Sequence, residues 1–420
     1  MNQIWLAGGI FVITFALIVS ERIDRTISAL LGGLSMIIFG IVAQEQAFHS
    51  VDWNVIFLLA GMMVIANILK ETGLFQWIAL QAVRLGKGDP MRILIILSLI
   101  TAFTSALLDN VTIVVLIAPV TLFIASTLGL SPVPFLIAEV LASNIGGTAT
   151  LVGDPPNILI GSAAHIDFLT FLSNMGPISF IITLGLIGMM AIMFRKDLKK
   201  KGDDEVDLSS LDAASLITDK VLLRKSLTVM SFVTIGFLTH SALHLEPATI
   251  ALTGATVLML WGKSDPHKMF QDVEWTTLFF FIGLFIAVEA IVEIGIIAAI
   301  AEEVLALTHG SVELASMLLI WFSALTSGIV DNIPYTATMI PLVQQMGEVM
   351  PISVLWWSLA LGACLGGNLT LVGAAANVIV SNLAEKSGYK IGFWTFFKYG
   401  APVTVMSLIL SSIYVWVRYL

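Results

Sequence analysis

The sequence predicts an all-α polytopic membrane protein built from two inverted repeats, each of about five spans plus one re-entrant hairpin. Two observations carry this. Apolar runs of about 16 to 20 residues follow one another along the chain, each long enough to cross a bilayer core. A set of polar motifs in the first half then recurs, in nearly one register, in the second. With 58% apolar residues, 12% charged residues and a mean hydropathy of +0.97, a soluble domain is excluded.

The first run, Ile4 to Val19, lacks a basic leader and a small-residue cleavage site, so residues 3–20 read as a span rather than a signal peptide. Spans are expected next at 27–43 and 53–69, then an amphipathic segment at 74–86. The apolar stretch 92–128 is interrupted by Ser105-Ala-Leu-Leu-Asp-Asn-Val-Thr112. A polar loop facing lipid is prohibitively costly, so this stretch reads as a hairpin whose tip is buried in protein. A span at 132–165 is broken by Gly146-Gly-Thr-Ala-Thr-Leu-Val-Gly-Asp-Pro-Pro-Asn157, and a last span covers 177–194. The hydrophilic linker 195–221 separates a first repeat, 1–194, from a second, 222–420.

The second half restates the plan. Val51-Asp-Trp-Asn-Val-Ile-Phe57 matches Val273-Glu-Trp-Thr-Thr-Leu-Phe279, an offset of 222 residues (51 to 273). Gly61 matches Gly283, Glu71 matches Glu293, Gly73 matches Gly295, and Asp109-Asn110 matches Asp331-Asn332. The broken-span motif recurs as Gly366-Gly-Asn-Leu-Thr-Leu-Val-Gly-Ala-Ala-Ala-Asn377, an offset of 220 (146 to 366).

Lys and Arg orient the spans, because they favour cytoplasmic loops. With the N-terminus outside and five crossings per half, every Lys and Arg except Arg418 falls on the cytoplasmic side, linker included. An odd number of crossings inverts the second repeat relative to the first. The location this implies is the plasma (inner) membrane. Trp53 and Trp275 sit at span ends as interfacial anchors, and His49, His165, His240 and His244 fall in solvated external loops.

Four polar interruptions thus occupy matching places: two hairpin tips and two broken spans. Discontinuous helices expose free N–H groups at one break and free carbonyls at the other, a means of holding a small solute at the membrane midplane. Asp109, Asp154 and Asp331 lie at the interruptions; Glu139 and Glu289 lie within spans. No Lys or Arg is expected at that depth to pair with them, so each carboxylate must take up a proton or bind a cation. Asp154 is unmatched, since its repeat partner is Ala374. The single cysteine, Cys364, excludes a disulfide and a cysteine metal cluster, and reads as a packing residue. Nothing points to a cofactor, a bound metal, nucleic acid or enzymatic activity; an intramembrane aspartyl protease lacks its Gly-x-Gly-Asp motif here.

The run Ser143-Asn-Ile-Gly-Gly-Thr-Ala-Thr-Leu-Val-Gly-Asp-Pro-Pro-Asn157, with Asp-Asn-Val-Thr before it and Asp-Asn-Ile-Pro and Leu-Gly-Gly-Asn-Leu-Thr-Leu-Val-Gly-Ala-Ala-Ala-Asn after it, resembles the ion transporter superfamily. Over the whole chain the likeness is to its arsenite-efflux permease, P-protein and NhaD-type antiporter group, which carries a citrate-transporter-like domain. The resemblance implies scaffold and transport subdomains moving by an elevator-type mechanism. It implies substrate-binding residues Ser105, Asn110, Thr112, Asn144, Gly146, Thr148, Thr150, Asn157, Ser327, Asn332, Asn368, Thr370 and Asn377. Proton or cation coupling is expected at Asp109, Asp154, Asp331 and Glu139. A homodimer and an accessory ATPase subunit are the partners the group allows.

Dicarboxylate members carry Ser-Asn-Thr at both hairpin tips, where this chain has Leu-Asp-Asn-Val-Thr and Val-Asp-Asn-Ile-Pro. A carboxylate there repels an anionic substrate. The function expected is therefore proton-coupled efflux of arsenite or antimonite, with Na⁺/H⁺ antiport as the alternative and a passive channel as the rival of another class.

Overall fold

A computed structural model describes residues 2–20, 22–198 and 216–420. The expected linker 195–221 lies mostly outside the described residues. Helices account for all the regular structure among the described residues, and they sort into two bundles.

The supporting bundle comprises α1 (Asn2–Ser20), α2 (Arg25–Ile38), α4 (Trp53–Glu71), α11 (Lys220–Leu243), α12 (Pro247–Gly262) and α14 (Trp275–Glu293). It also holds two short helices, α3 (Gln44–His49) and α13 (Pro266–Gln271). Its two main seams are repeat-related: α14 packs on α2, and α12 on α4. The seams close because glycine lets backbones touch. A Cβ on Gly61 would meet the Ala251 carbonyl carbon at 2.8 Å, and one on Gly283 would meet that of Ala29 at 2.6 Å. Gly283→Val is therefore expected to force the backbones apart and lower the thermal midpoint in detergent, a loss of about 1–3 kcal/mol. Gly188→Val is the control, since nothing lies within 4 Å of its Cβ position.

The second bundle holds the interrupted elements. One hairpin is α6 (Pro90–Ser105) and α7 (Asn110–Thr127); the other is α16 (Val312–Ser327) and α17 (Asn332–Met346). One broken helix is α8 (Val133–Gly147) with α9 (Pro155–Ala163), and the other is α18 (Ile352–Gly366) with α19 (Ala375–Lys386). Long helices α10 (Phe168–Met193) and α20 (Phe393–Tyr419) pack beside α8 and α18, respectively. Amphipathic α5 (Leu74–Gly86) and α15 (Ile296–Leu307) lead into the hairpins. The bundles meet where α4 touches α7 and α9, α14 touches α17, and α10 touches α11.

Among the described residues, seven helices (α1, α4, α7, α10, α11, α14 and α20) are long and apolar enough to cross a bilayer alone, or eight spans if α15 and α16, bent by 118°, count as one. Element boundaries depart from expectation in two places. The span expected at 177–194 begins at Phe168, because Asp167 caps it through Thr170 N (2.9 Å) and Pro177 is absorbed in the helix interior. The span expected at 27–43 ends at Ile38, because Gly40 takes the left-handed conformation (φ 68°) and Ile41 N–H bonds back to the Met36 carbonyl (2.9 Å). Trp53 and Trp275 begin their helices about half exposed (48% and 47%), as interfacial anchors require.

Candidate substrate and coupling site

Each hairpin tip is stitched to a helix break, and the stitches repeat. In the first half, Ser105 Oγ donates to the Ser143 carbonyl (2.8 Å) and Thr150 Oγ1 to the Ala106 carbonyl (2.6 Å). In the second, Ser327 Oγ donates to the Ala363 carbonyl (2.6 Å) and Thr370 Oγ1 to the Gly328 carbonyl (2.5 Å). The first tip also donates its Asn110 backbone N–H to the Gly153 carbonyl (3.2 Å). Such close approach needs glycine at Gly146 and Gly366, where a Cβ would run into the Ala102 and Ala324 carbonyls.

The breaks carry carbonyls with no helical partner, and one asparagine serves each. Asn157 Nδ2 donates to the carbonyls of Gly147 (3.0 Å) and Thr150 (2.9 Å). Asn377 Nδ2 donates to those of Gly367 (2.7 Å) and Thr370 (2.9 Å). Both amide hydrogens of each side chain are thereby engaged within its own break.

The two halves join through a buried amide cluster. Asn144 Nδ2 donates to Asn368 Oδ1 (2.9 Å) and Asn377 Oδ1 (3.0 Å), and Cys364 Sγ donates to Asn157 Oδ1 (3.1 Å). Cys364 is therefore a member of the cluster, not the packing residue expected. Its repeat partner at the 220-residue offset (144 to 364) is Asn144, and each donates to the asparagine of the opposite break. That register was the signal that could have found it. Thr148 turns its hydroxyl onto the Asn144 carbonyl (2.8 Å).

Asp154 stands at the centre. Asn110 Nδ2 donates to its Oδ1 (3.3 Å) and also to Asn144 Oδ1 (3.1 Å). Asn332 Nδ2 donates to both of its oxygens (3.3 and 3.4 Å). The amides of both hairpin tips thus converge on one carboxylate that is fully buried. Asp154 precedes α9 in extended backbone (φ −146°, ψ 133°) and makes no cap bond; Ala374 precedes α19 in the same conformation (φ −149°, ψ 143°). Alanine satisfies the backbone equally well, so α9 does not need the carboxylate to begin; its partners are the two tip amides. The other end of the Asn110 amide, Oδ1, is buried with no partner.

Asp109 and Asp331 behave differently. Asp109 caps α7, accepting from Thr112 N (2.8 Å) and Thr112 Oγ1 (2.5 Å). Asp331 caps α17 through Ile333 N (3.0 Å) and takes Arg25 Nη1 at 3.1 Å. This overturns the expectation that no basic side chain meets the aspartates. Arg25 begins α2 and lies 306 residues away in sequence. Glu139 is buried outside the cluster, on α8 but five residues before Asn144; its Oε1 accepts from Thr121 Oγ1 (2.6 Å) and its Oε2 has no partner. Glu289 accepts from Gln46 Nε2 (3.0 Å) at the end of α14, away from the cluster.

A cavity of about 480 Å³ approaches the cluster from one face. His165, His244 and Glu246 line its exposed rim, and buried Leu151 and Ile158 line its floor. Leu151 belongs to the first break. His240, expected to be solvated, is held here: its Nε2 accepts from the Phe168 N–H (3.1 Å) and its Nδ1 lies 3.1 Å from the Leu245 carbonyl.

Comparison with known proteins places this architecture. A sequence profile described as citrate transporter (CitMHS) matches residues 15–362. The chain is 45% identical over 422 residues to an uncharacterized transporter of Mycobacterium tuberculosis, covering 99% of this chain and 98% of that one. It is 32% identical over 504 residues to the P protein of Homo sapiens, covering all of this chain and 60% of that longer protein. The fold is that of the YdaH transporter of Alcanivorax borkumensis (TM-score 0.62, 16% identity, 99% and 98% of the two chains). MtrF of Neisseria gonorrhoeae is similar too (TM-score 0.63, 14% identity, 92% and 84%). The match over most of the length, on an all-helical frame with two stitched hairpins, makes this chain a member of the citrate transporter family of membrane transporters.

Proposed function

We propose that this chain is a secondary active transporter moving a small neutral or cationic inorganic solute against protons, with arsenite or antimonite, as As(OH)₃ or Sb(OH)₃, the substrate. The observation that carries the proposal is the convergence of both tip amides, Asn110 and Asn332, on the buried carboxylate of Asp154. A carboxylate shared by the two hairpins is placed to couple its protonation to their positions. The surroundings are amides, hydroxyls, backbone carbonyls and one thiol, all suited to a polyhydroxylated neutral species. Citrate, for which the family is described, would bring its carboxylates against Asp154 among uncharged donors. Arg25, the nearby cation, is taken up by Asp331. Asp154 is the coupling group in this reading, with Asp109, Asp331 and Glu139 as further carriers of protons. The molecule works as an elevator between two faces of the inner membrane, N-terminus outside.

Na⁺/H⁺ exchange is the second reading, favoured by two buried oxygen groups suited to a cation, the Asp154 carboxylate and the unpartnered Asn110 Oδ1. Proteoliposomes with an imposed pH gradient separate the readings. Metalloid uptake that collapses when the gradient is dissipated supports the first. Na⁺-dependent proton flux without metalloid movement selects the second. Citrate flux, or flux indifferent to pH and Na⁺, overturns both.

A further inference from the structure

Repeat symmetry gives the Arg25–Asp331 pair a meaning beyond its own geometry. Arg25 sits at the first turn of α2, with its guanidinium 5.6 Å above the Phe280 ring of α14 and 3.1 Å from Asp331 on the second hairpin tip. It thus ties the supporting bundle to the moving element. Shifted by the 222-residue offset, Arg25 corresponds to Pro247, Phe280 to Leu58 and Asp331 to Asp109. Pro247 and Leu58 are both walls of the cavity that descends to Leu151. One face is therefore open at the places where, on the other face, Arg25 rests on Phe280 and grips Asp331.

In an inverted-repeat carrier the two end states are related by exchanging the arrangements of the halves. Here the exchange is unequal. In the opposite state Asp109 would approach Pro247, next to Glu246, in a cavity lined by His165, His240 and His244 but by no Lys or Arg. The present arrangement gains an arginine–aspartate pair for which the mirror position offers only Pro247.

We propose that Arg25 is a gating residue: by pairing with Asp331 it clasps the second hairpin tip against α2 and α14. It so biases the transporter toward the state in which the cavity at Leu151 is open. Asp331 keeps one oxygen on its cap and lends the other to the clasp, so the tip can detach without unwinding α17. The proposal rests on alternating access but is independent of which solute is carried.

The test uses two single-cysteine variants, Leu151→Cys and, at its repeat partner, Leu371→Cys, each in a Cys364→Ser background. Labelling by a membrane-impermeant maleimide is followed in whole cells and in inverted vesicles, which present the two faces. The Leu151→Cys thiol should label from one face and the Leu371→Cys thiol from the other. Arg25→Gln should slow labelling at position 151 and speed it at position 371, each about two- to fivefold, since a partly exposed pair biases an equilibrium by little more. Asp331→Asn should do the same, and Arg25→Asp combined with Asp331→Arg should restore the parental rates. Face-specific labelling that ignores all three substitutions overturns the clasp. Labelling that is equal from both faces in the parent overturns alternating access itself, and the two failures are thus distinguishable. If Arg25→Gln fails to fold, Asp331→Asn carries the test alone.

Discussion

Asp154→Asn should reduce pH-driven transport by on the order of 100-fold, about 2.7 kcal/mol at 1.36 kcal/mol per decade, while leaving the amount of folded protein unchanged. The side chain is close to isosteric, and Ala374 in the same backbone conformation demonstrates that α9 needs no carboxylate to begin. The substituted amide can still accept from Asn110 and Asn332 through its one oxygen, so the tips keep a partner. What disappears is the group that can bind or release a proton. Solute-for-solute exchange without a pH gradient should therefore survive better than net uphill flux. The measurement compares the two modes in one proteoliposome preparation. Equal loss of both modes would make Asp154 a ligand to the solute, and loss of neither would remove it from the mechanism. Glu139→Gln gives the contrast, because Thr121 can hold a glutamine oxygen and the residue lies outside the amide cluster.

How much of this was legible in the sequence follows from where each signal resides. Hairpin tips and helix breaks were readable, because polar and glycine-rich stretches at membrane depth admit few conformations. The repeat was readable through register alone, and the structure returns it as paired hydrogen bonds, Ser105 with Ser327 and Thr150 with Thr370. The pairing of Arg25 with Asp331 was missed because a residue's partner 306 positions away leaves no local trace, and a basic residue at a span end reads as a loop charge. Cys364 was misread because its residue type was weighed before its register; the offset that pairs it with Asn144 was already in hand. His240 looked solvated since polar residues at span ends usually are, yet it closes the first turn of α10. The substrate has no comparable signature. Amides and hydroxyls recognise by arrangement, and the same set holds a cation or a polyol.

Asn157→Leu and Asn377→Leu should be the most destabilising substitutions in the cluster, each costing on the order of 2–4 kcal/mol. Both asparagines were expected to bind substrate, but the structure commits their amide hydrogens to the carbonyls of their own breaks. Leucine fills a similar volume and donates nothing, so the carbonyls of Gly147 and Thr150 in one break, and of Gly367 in the other, lose that donor, while Thr370 keeps the Gly373 N–H (3.3 Å). Their oxygens accept from Cys364 and Asn144 across the repeat boundary, so each change also unlinks the halves. Asn144→Leu, which strips no backbone carbonyl of its partner, should cost less. Thermal midpoints of the purified protein in detergent rank the three. If Asn157→Leu and Asn377→Leu melt like the parent and only lose transport, their amides are free to meet the solute, and the breaks are held by something else. If they melt well below it, these amides are staples, and recognition falls to Asn110, Asn332 and the carboxylate between them.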